Sequence, residues 1–169
     1  MTEAVAGSAH KSEYAPAAPR DSAAFRDTRI ALIGTRWNAE LVDALVAGSW
    51  RCLEAFGVAR AHVTEVHVPG AFELPLAAEV LMRSGRVDAV VALGAVIRGE
   101  TPHFDYVCTQ CSQGLREASQ LHRIALGFGV LTTENVEQAR ARAGDGRTNK
   151  GYEATAAALE MVALIRSLS

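Results

Sequence analysis

Arg98, Glu100, Thr101, His103 and Asp105 fall within eight consecutive positions. His103 is the best general base in the chain. An imidazole titrates near neutrality, and a well-placed one contributes about 10²–10⁴-fold in rate. Gly99 lets backbone approach a ligand closely. Pro102 marks a helix entrance, where free N–H groups form an anion site, and Thr101 adds a hydroxyl. A phosphate there would be held mostly by backbone dipoles, with the Glu100 carboxylate turned away because like charges repel. A solvated surface group is the plainer reading of a loop histidine; the anion loop beside His103 is what argues for chemistry. Asp105 could orient or charge it, although residues two apart on a helix do not face each other.

Other candidates carry two readings each. In Pro69-Gly-Ala-Phe-Glu73, the N–H groups of Ala71 and Phe72 and the Glu73 carboxylate could bind a polar heterocycle. Equally, Glu73 could simply favour a helix N-terminus. Trp37 could stack on a flat ligand or pack in the core. Arg142 fits a bidentate phosphate clamp and equally a solvated helix face. The chain has fifteen arginines and two lysines, Lys11 and Lys150, so Lys150 is the single lysine beyond the N-terminal tail. Genomic bias explains the excess of arginine but not the survival of that one lysine. Cys108-Thr-Gln-Cys111 has C-x-x-C spacing, yet no second pair completes a zinc site. It also lies a turn inside a helix, where redox pairs are not found, so it reads as packing. No metal site is expected. G-x-G-x-x-G and Walker A motifs are absent, and His62, His67 and His122 read as structural.

The elements that must position these residues follow from the apolar pattern. Arg29–Gly34 is a short buried strand. Asn38 is a helix N-cap, the helix runs through Leu53, and Gly57 closes it. His62–Val68 is a second strand, and Glu73–Arg83 a helix closed by Gly85. Asp88–Ile97 is apolar on both faces, as a central parallel strand covered by helices must be. A helix through His122, a strand over 124–131, a helix over 134–143 and a long helix over 150–168 complete the order. Alternating strands and helices imply a parallel sheet with right-handed crossovers. The fold class is α/β: a flavodoxin-like three-layer sandwich, with a four-stranded parallel sheet and helices on both faces. Ligands bind outside the carboxyl ends of such strands. Four segments (35–38, 69–73, 95–104 and 128–133) should therefore converge on one cleft.

The chain has 169 residues, which suits one domain with a full core. Residues 1–27, rich in Ala, Ser and Pro without periodicity, read as a disordered arm; residues 28–169 form the domain. Net charge is -2, which gives no support to nucleic acid or an anionic membrane as partner. No apolar run reaches the ~18 residues of a membrane helix, and the N-terminus lacks a signal-peptide core. A cytoplasmic location is the expectation. Three cysteines, an odd number, argue against a disulfide framework.

Seven blocks together resemble the lumazine synthase (6,7-dimethyl-8-ribityllumazine synthase) family, in order and spacing from about residue 29 to the end. They are Arg36-Trp-Asn38, Val68-Pro-Gly-Ala-Phe-Glu-Leu-Pro75, Leu93-Gly-Ala-Val-Ile-Arg-Gly99, Thr101-Pro-His-Phe-Asp-Tyr-Val-Cys108, Gly129-Val-Leu-Thr-Thr-Glu-Asn135, Arg142-Ala-Gly144 and Asn149-Lys-Gly151. The resemblance implies a reaction of riboflavin biosynthesis that needs no cofactor. In it, 5-amino-6-(D-ribitylamino)uracil condenses with 3,4-dihydroxy-2-butanone 4-phosphate to 6,7-dimethyl-8-ribityllumazine, releasing phosphate and water. It implies roles as well. His103 transfers protons, and Trp37 stacks on the pyrimidine. Ala71, Phe72 and Glu73, with backbone of Ala95, Val96 and Ile97, line the pyrimidine and ribityl site. Glu100 and Thr101 belong to the phosphate loop, Arg142 binds phosphate, Phe128 is an aromatic wall, and Lys150 lies near the ribityl and phosphate groups. Family members form homo-oligomers: pentamers, decamers or icosahedral shells of twelve pentamers. Phe128 and Arg142 come from the neighbouring subunit, and riboflavin synthase is a further partner. The short turn 144–149 favours the shell. Trp37 stands where Phe is commoner, Ala95 where Thr is frequent, and Glu100 and Cys111 where small or neutral residues occur. The competing reading is a flavin-binding or storage protein on the same fold; intact His103, Thr101 and Arg142 argue for the enzyme.

Overall fold

The computed structural model describes residues 22–169. Four strands, β1 (Ile30–Thr35), β2 (Val63–Val68), β3 (Ala89–Ile97) and β4 (Ala125–Thr133), form one parallel sheet in the order β2-β1-β3-β4. Among the described residues five α-helices connect and cover them: α1 (Ala39–Ala55), α2 (Leu74–Arg83), α3 (His103–His122), α4 (Val136–Ala143) and α5 (Lys150–Leu168). Gly57 and Gly85, both at positive φ, close α1 and α2 as expected.

Side chains alternate across a strand, and two separate cores result. Ile30, Leu32, Val91 and Leu93 pack with Leu45, Leu53 and Leu159 of α1 and α5 on one face. Ala31, Ile33, Val90 and Ala92 pack with Leu74 and Met82 of α2 and with Cys111 and Leu115 of α3 on the other. This is the three-layer sandwich the pattern predicts. Fully burying each such Leu or Ile is worth about 1.5–3 kcal/mol, which is why strictly apolar β3 takes the central position.

The N-terminal boundary differs from expectation. Most of the arm, residues 1–21, lies outside the described residues. Residues 22–27, assigned to the same arm, are instead part of the folded body. A 3-10 turn spans Ser22–Phe25, Phe25 is buried edge-on to Phe56 at 5.7 Å between ring centroids, and Arg26 O accepts from Ala59 N–H at 3.0 Å. One aromatic side chain fills the gap beside Phe56, and a single residue carries no periodicity for a pattern reading to detect.

Candidate active site

The chain runs from β1 outward to β2, then back across β1 to β3. The ends of β1 and β3 thus diverge, and a crevice opens at this reversal. Its geometry starts at Asn38, the N-cap residue of α1, which adopts a left-handed conformation (φ 58°, ψ 45°). Asn tolerates this conformation better than most residues. Its side chain does not cap the helix. Instead Nδ2 donates to Ala95 O at 2.8 Å, tying the residue after Trp37 to the end of β3. Arg36 N–H donates to Val68 O at 2.9 Å and Trp37 N–H to Pro69 O at 3.3 Å, so the β1 and β2 loops run together. The indole leans over Gly70, where a Cβ would stand 3.2 Å from Trp37 Cδ1.

A cavity of about 570 Å³ results, lined by Trp37, Gly70–Glu73, Ala95, Val96, His103 and Val107. Its two aromatic residues are not core: Trp37 is 74% and Phe72 59% exposed. Glu73 Oε2 accepts from Gly70 N–H at 2.9 Å, which holds the carboxylate at the rim. A carboxylate has more lone pairs than this one donor uses. His103 is the first residue of α3 and is exposed.

The start of α3 is held by Arg98. Its guanidinium contacts Asp105 through two hydrogen bonds (3.1 and 3.3 Å) and Glu134 at 2.8 Å, and lies 4.1 Å from the Phe104 ring centroid. Hydrogen bonding to Asp105, then to Glu134, raises the guanidinium pKa still further. Arg98 thus joins the loop carrying His103 to the end of β4. Asp105 pairs with Arg98 rather than with His103. Glu100 and Thr101 are exposed beside the cavity and do not line it; Thr101 Oγ1 lies 3.4 Å from His103 N. Ile97 is half-buried against the core of the α1 and α5 face, also outside the lining.

The fourth predicted segment does not join this cleft. Phe128, Gly129, Val130, Leu131 and Thr132 line a second cavity of about 380 Å³ with Arg142, Lys150, Glu153, Ala154 and Ala157. No residue lines both cavities. β4 is the edge strand beyond β3, so the β1/β3 reversal lies on the other side of β3, and this second cavity runs along β4 against α5. Arg142 donates to Gln138 O at 2.9 Å in its own helix, and Lys150 pairs with Glu153. Gly70 falls within the expected segment 69–73, whereas Val107 and Glu153 lie outside all four expected segments. Of these two, Glu153 left a signal, an acid three positions after a lysine on one helix face.

The packing reading of the cysteines holds. Cys111 is buried, and burial, with Cys108 nearby, pushes its thiol up to about 12. Burial, followed by Asp105, also raises Cys108. Neither is the low-pKa thiol that redox chemistry needs. Among the described residues no group of His, Cys, Asp and Glu could hold a metal ion, and no helix is long and apolar enough to cross a membrane.

Sheet topology and cleft together define a parallel α/β protein with an open, aromatic-walled cleft at the reversal point of its sheet and an imidazole at the rim. Its relatives are specific. A curated protein from Kineococcus radiotolerans, named 6,7-dimethyl-8-ribityllumazine synthase, is 54% identical over 143 residues, covering 83% of this chain and 87% of its own length. Proteins of the same name from Desulfovibrio desulfuricans and Halorhodospira halophila are 49% and 48% identical, with 90% and 93% of their lengths covered and 83% and 86% of this chain. The model of the 6,7-dimethyl-8-ribityllumazine synthase family matches residues 27–166, and the chain belongs to that family.

Proposed function

We infer that this chain condenses 5-amino-6-(D-ribitylamino)uracil with 3,4-dihydroxy-2-butanone 4-phosphate to form 6,7-dimethyl-8-ribityllumazine. The amine attacks the ketone and water leaves as the imine forms. Phosphate is then eliminated, and attack of the ribitylamino nitrogen on the carbonyl that remains closes the second ring with loss of another water. The observation that carries the reading is the cleft uniting two exposed aromatic side chains, the fixed Glu73 carboxylate and His103. Trp37 stacks on the pyrimidine, held by Ala71 and Phe72. Glu73 accepts hydrogen bonds from the substrate, backbone of Ala95, Val96 and Ile97 borders the ring, and His103 moves the protons.

A charged clamp adds to backbone dipoles in holding phosphate, and the first cavity has no arginine or lysine in its lining. Arg142, Lys150 and Phe128 lie in the second cavity. A homo-oligomer resolves this if the neighbouring subunit presents that cavity to the cleft, with Glu100 and Thr101 of the loop closing on the phosphate. The assembly is a pentamer or a multiple of it. The enzyme acts in the cytoplasm and passes its product to riboflavin synthase.

The test mixes purified protein with both substrates and follows lumazine formation by absorbance, with native mass measured on the same sample. Acceleration by an oligomer, lost in His103→Ala, supports the reading. A monomer that catalyses fully refutes the shared site. No acceleration with tight riboflavin binding would favour a flavin-binding role instead.

A further inference from the structure

We propose that Asn149 is a positioning residue for Arg142, fixing the backbone that carries the phosphate-binding guanidinium. The inference rests on the role given to Arg142 above. Asn149 is a polar residue only 1% exposed. Its Oδ1 accepts from Gly151 N–H at 2.8 Å and Tyr152 N–H at 3.2 Å, capping α5. Its Nδ2 has two hydrogens and lies within reach of three carbonyls: Ala44 at 3.0 Å, Ala143 at 3.0 Å and Gly144 at 2.9 Å. One side chain therefore joins α1, the end of α4 and the start of α5.

The slot around it has no spare room. A Cβ on Gly48 would stand 2.0 Å from Asn149 Oδ1, and one on Gly151 would stand 2.0 Å from Leu45 O. The carbonyls it holds on α4 belong to the two residues directly after Arg142. Residues 144–148 are exposed throughout, so Nδ2 is the buried tie that stops this loop from drifting. Lys150, one residue on, is fixed by the same side chain through the α5 cap. A guanidinium clamp works only in register with its phosphate, and a misplacement of ~1 Å can cost ~10²-fold.

Asn149→Asp separates the two jobs. Its carboxylate still caps α5 but has no hydrogen to offer Ala143 and Gly144. The variant should raise the KM for the butanone phosphate about tenfold, in the same direction as expected for Arg142→Ala, while the KM for the pyrimidine stays within about twofold. Hydrogen–deuterium exchange over residues 142–148 should quicken. If Asn149→Asp fails to fold, Asn149→Ser keeps a capping oxygen without the reach and serves the same test. Equal rises in both KM values, or unchanged exchange, would overturn the proposal. If the wild-type chain shows no turnover, the functional reading fails, and exchange alone decides whether Asn149 holds the Arg142 segment.

Discussion

Because His103 and Arg142 line different cavities of one chain, two inactive variants should repair each other. In a head-to-tail ring, each site takes His103 from one subunit and Arg142 from the next. Every site of a His103→Ala oligomer lacks its base, at a cost of roughly 10–10³-fold in turnover. Every site of an Arg142→Ala oligomer lacks its clamp, which raises the KM for the butanone phosphate. If the two are co-expressed equally and assemble at random, a site is intact only when both independent choices fall right. About a quarter of the sites are then wild type, on the head-to-tail arrangement. The assay compares initial rates of the two pure variants and of the co-assembled protein, purified through two tags, at limiting butanone phosphate. A rate near one quarter of wild type is expected, well above either parent. A rate equal to the mean of the parents would mean that both residues serve a site within one chain, and would refute the argument from the two cavities.

Trp37→Ala should weaken pyrimidine binding by about 10- to 100-fold, from ~1–3 kcal/mol of stacking. Stability should change by no more than about 0.5 kcal/mol, since the ring is exposed; lost stability with unchanged KM would make the indole packing. Asp88, where burial works to raise the pKa, is nevertheless held below the ordinary carboxylate range by hydrogen bonds from Arg29 N–H and its guanidinium, both at 2.8 Å. Its contribution to stability is complete above the unfolded pKa of about 3.9 and disappears as pH falls through the lower folded value. Asp88→Asn should therefore be less stable at neutrality and lose less on acidification, as urea unfolding at neutral and acid pH will read; parallel curves would contradict this. Cys111 should resist thiol reagents until the protein unfolds, with Cys108 reacting sooner, and rapid native labelling of Cys111 would reopen the redox reading.

The sheet and its two faces were legible because burial imposes a period on every strand and helix: Ile30–Ile33 alternate between the two cores, and β3 is apolar throughout. Single-residue devices were not. Phe25 fills one gap, Asn38 binds across to β3 rather than capping its helix, and Asn149 serves three elements at once. None of these repeats, so no period reveals them. The choice between a stacking and a packing Trp37 needed its exposure, which depends on how closely the β2 loop runs beside it. The rule that ligands lie at the carboxyl ends of strands found all four segments but placed them together. It could not say that only β1 and β3 diverge, or that β4 lies beyond the reversal. That error is informative about mechanism. On the proposed function, His103, Trp37 and Phe72 sit in one cavity while Phe128, Arg142 and Lys150 sit in another, so one chain carries every group but no complete site. In the folded chain the two cavities share no lining residue. The shared site proposed above would unite them by assembly and make the active site a property of the interface, so a change that dissociates the subunits should abolish turnover without unfolding any of them.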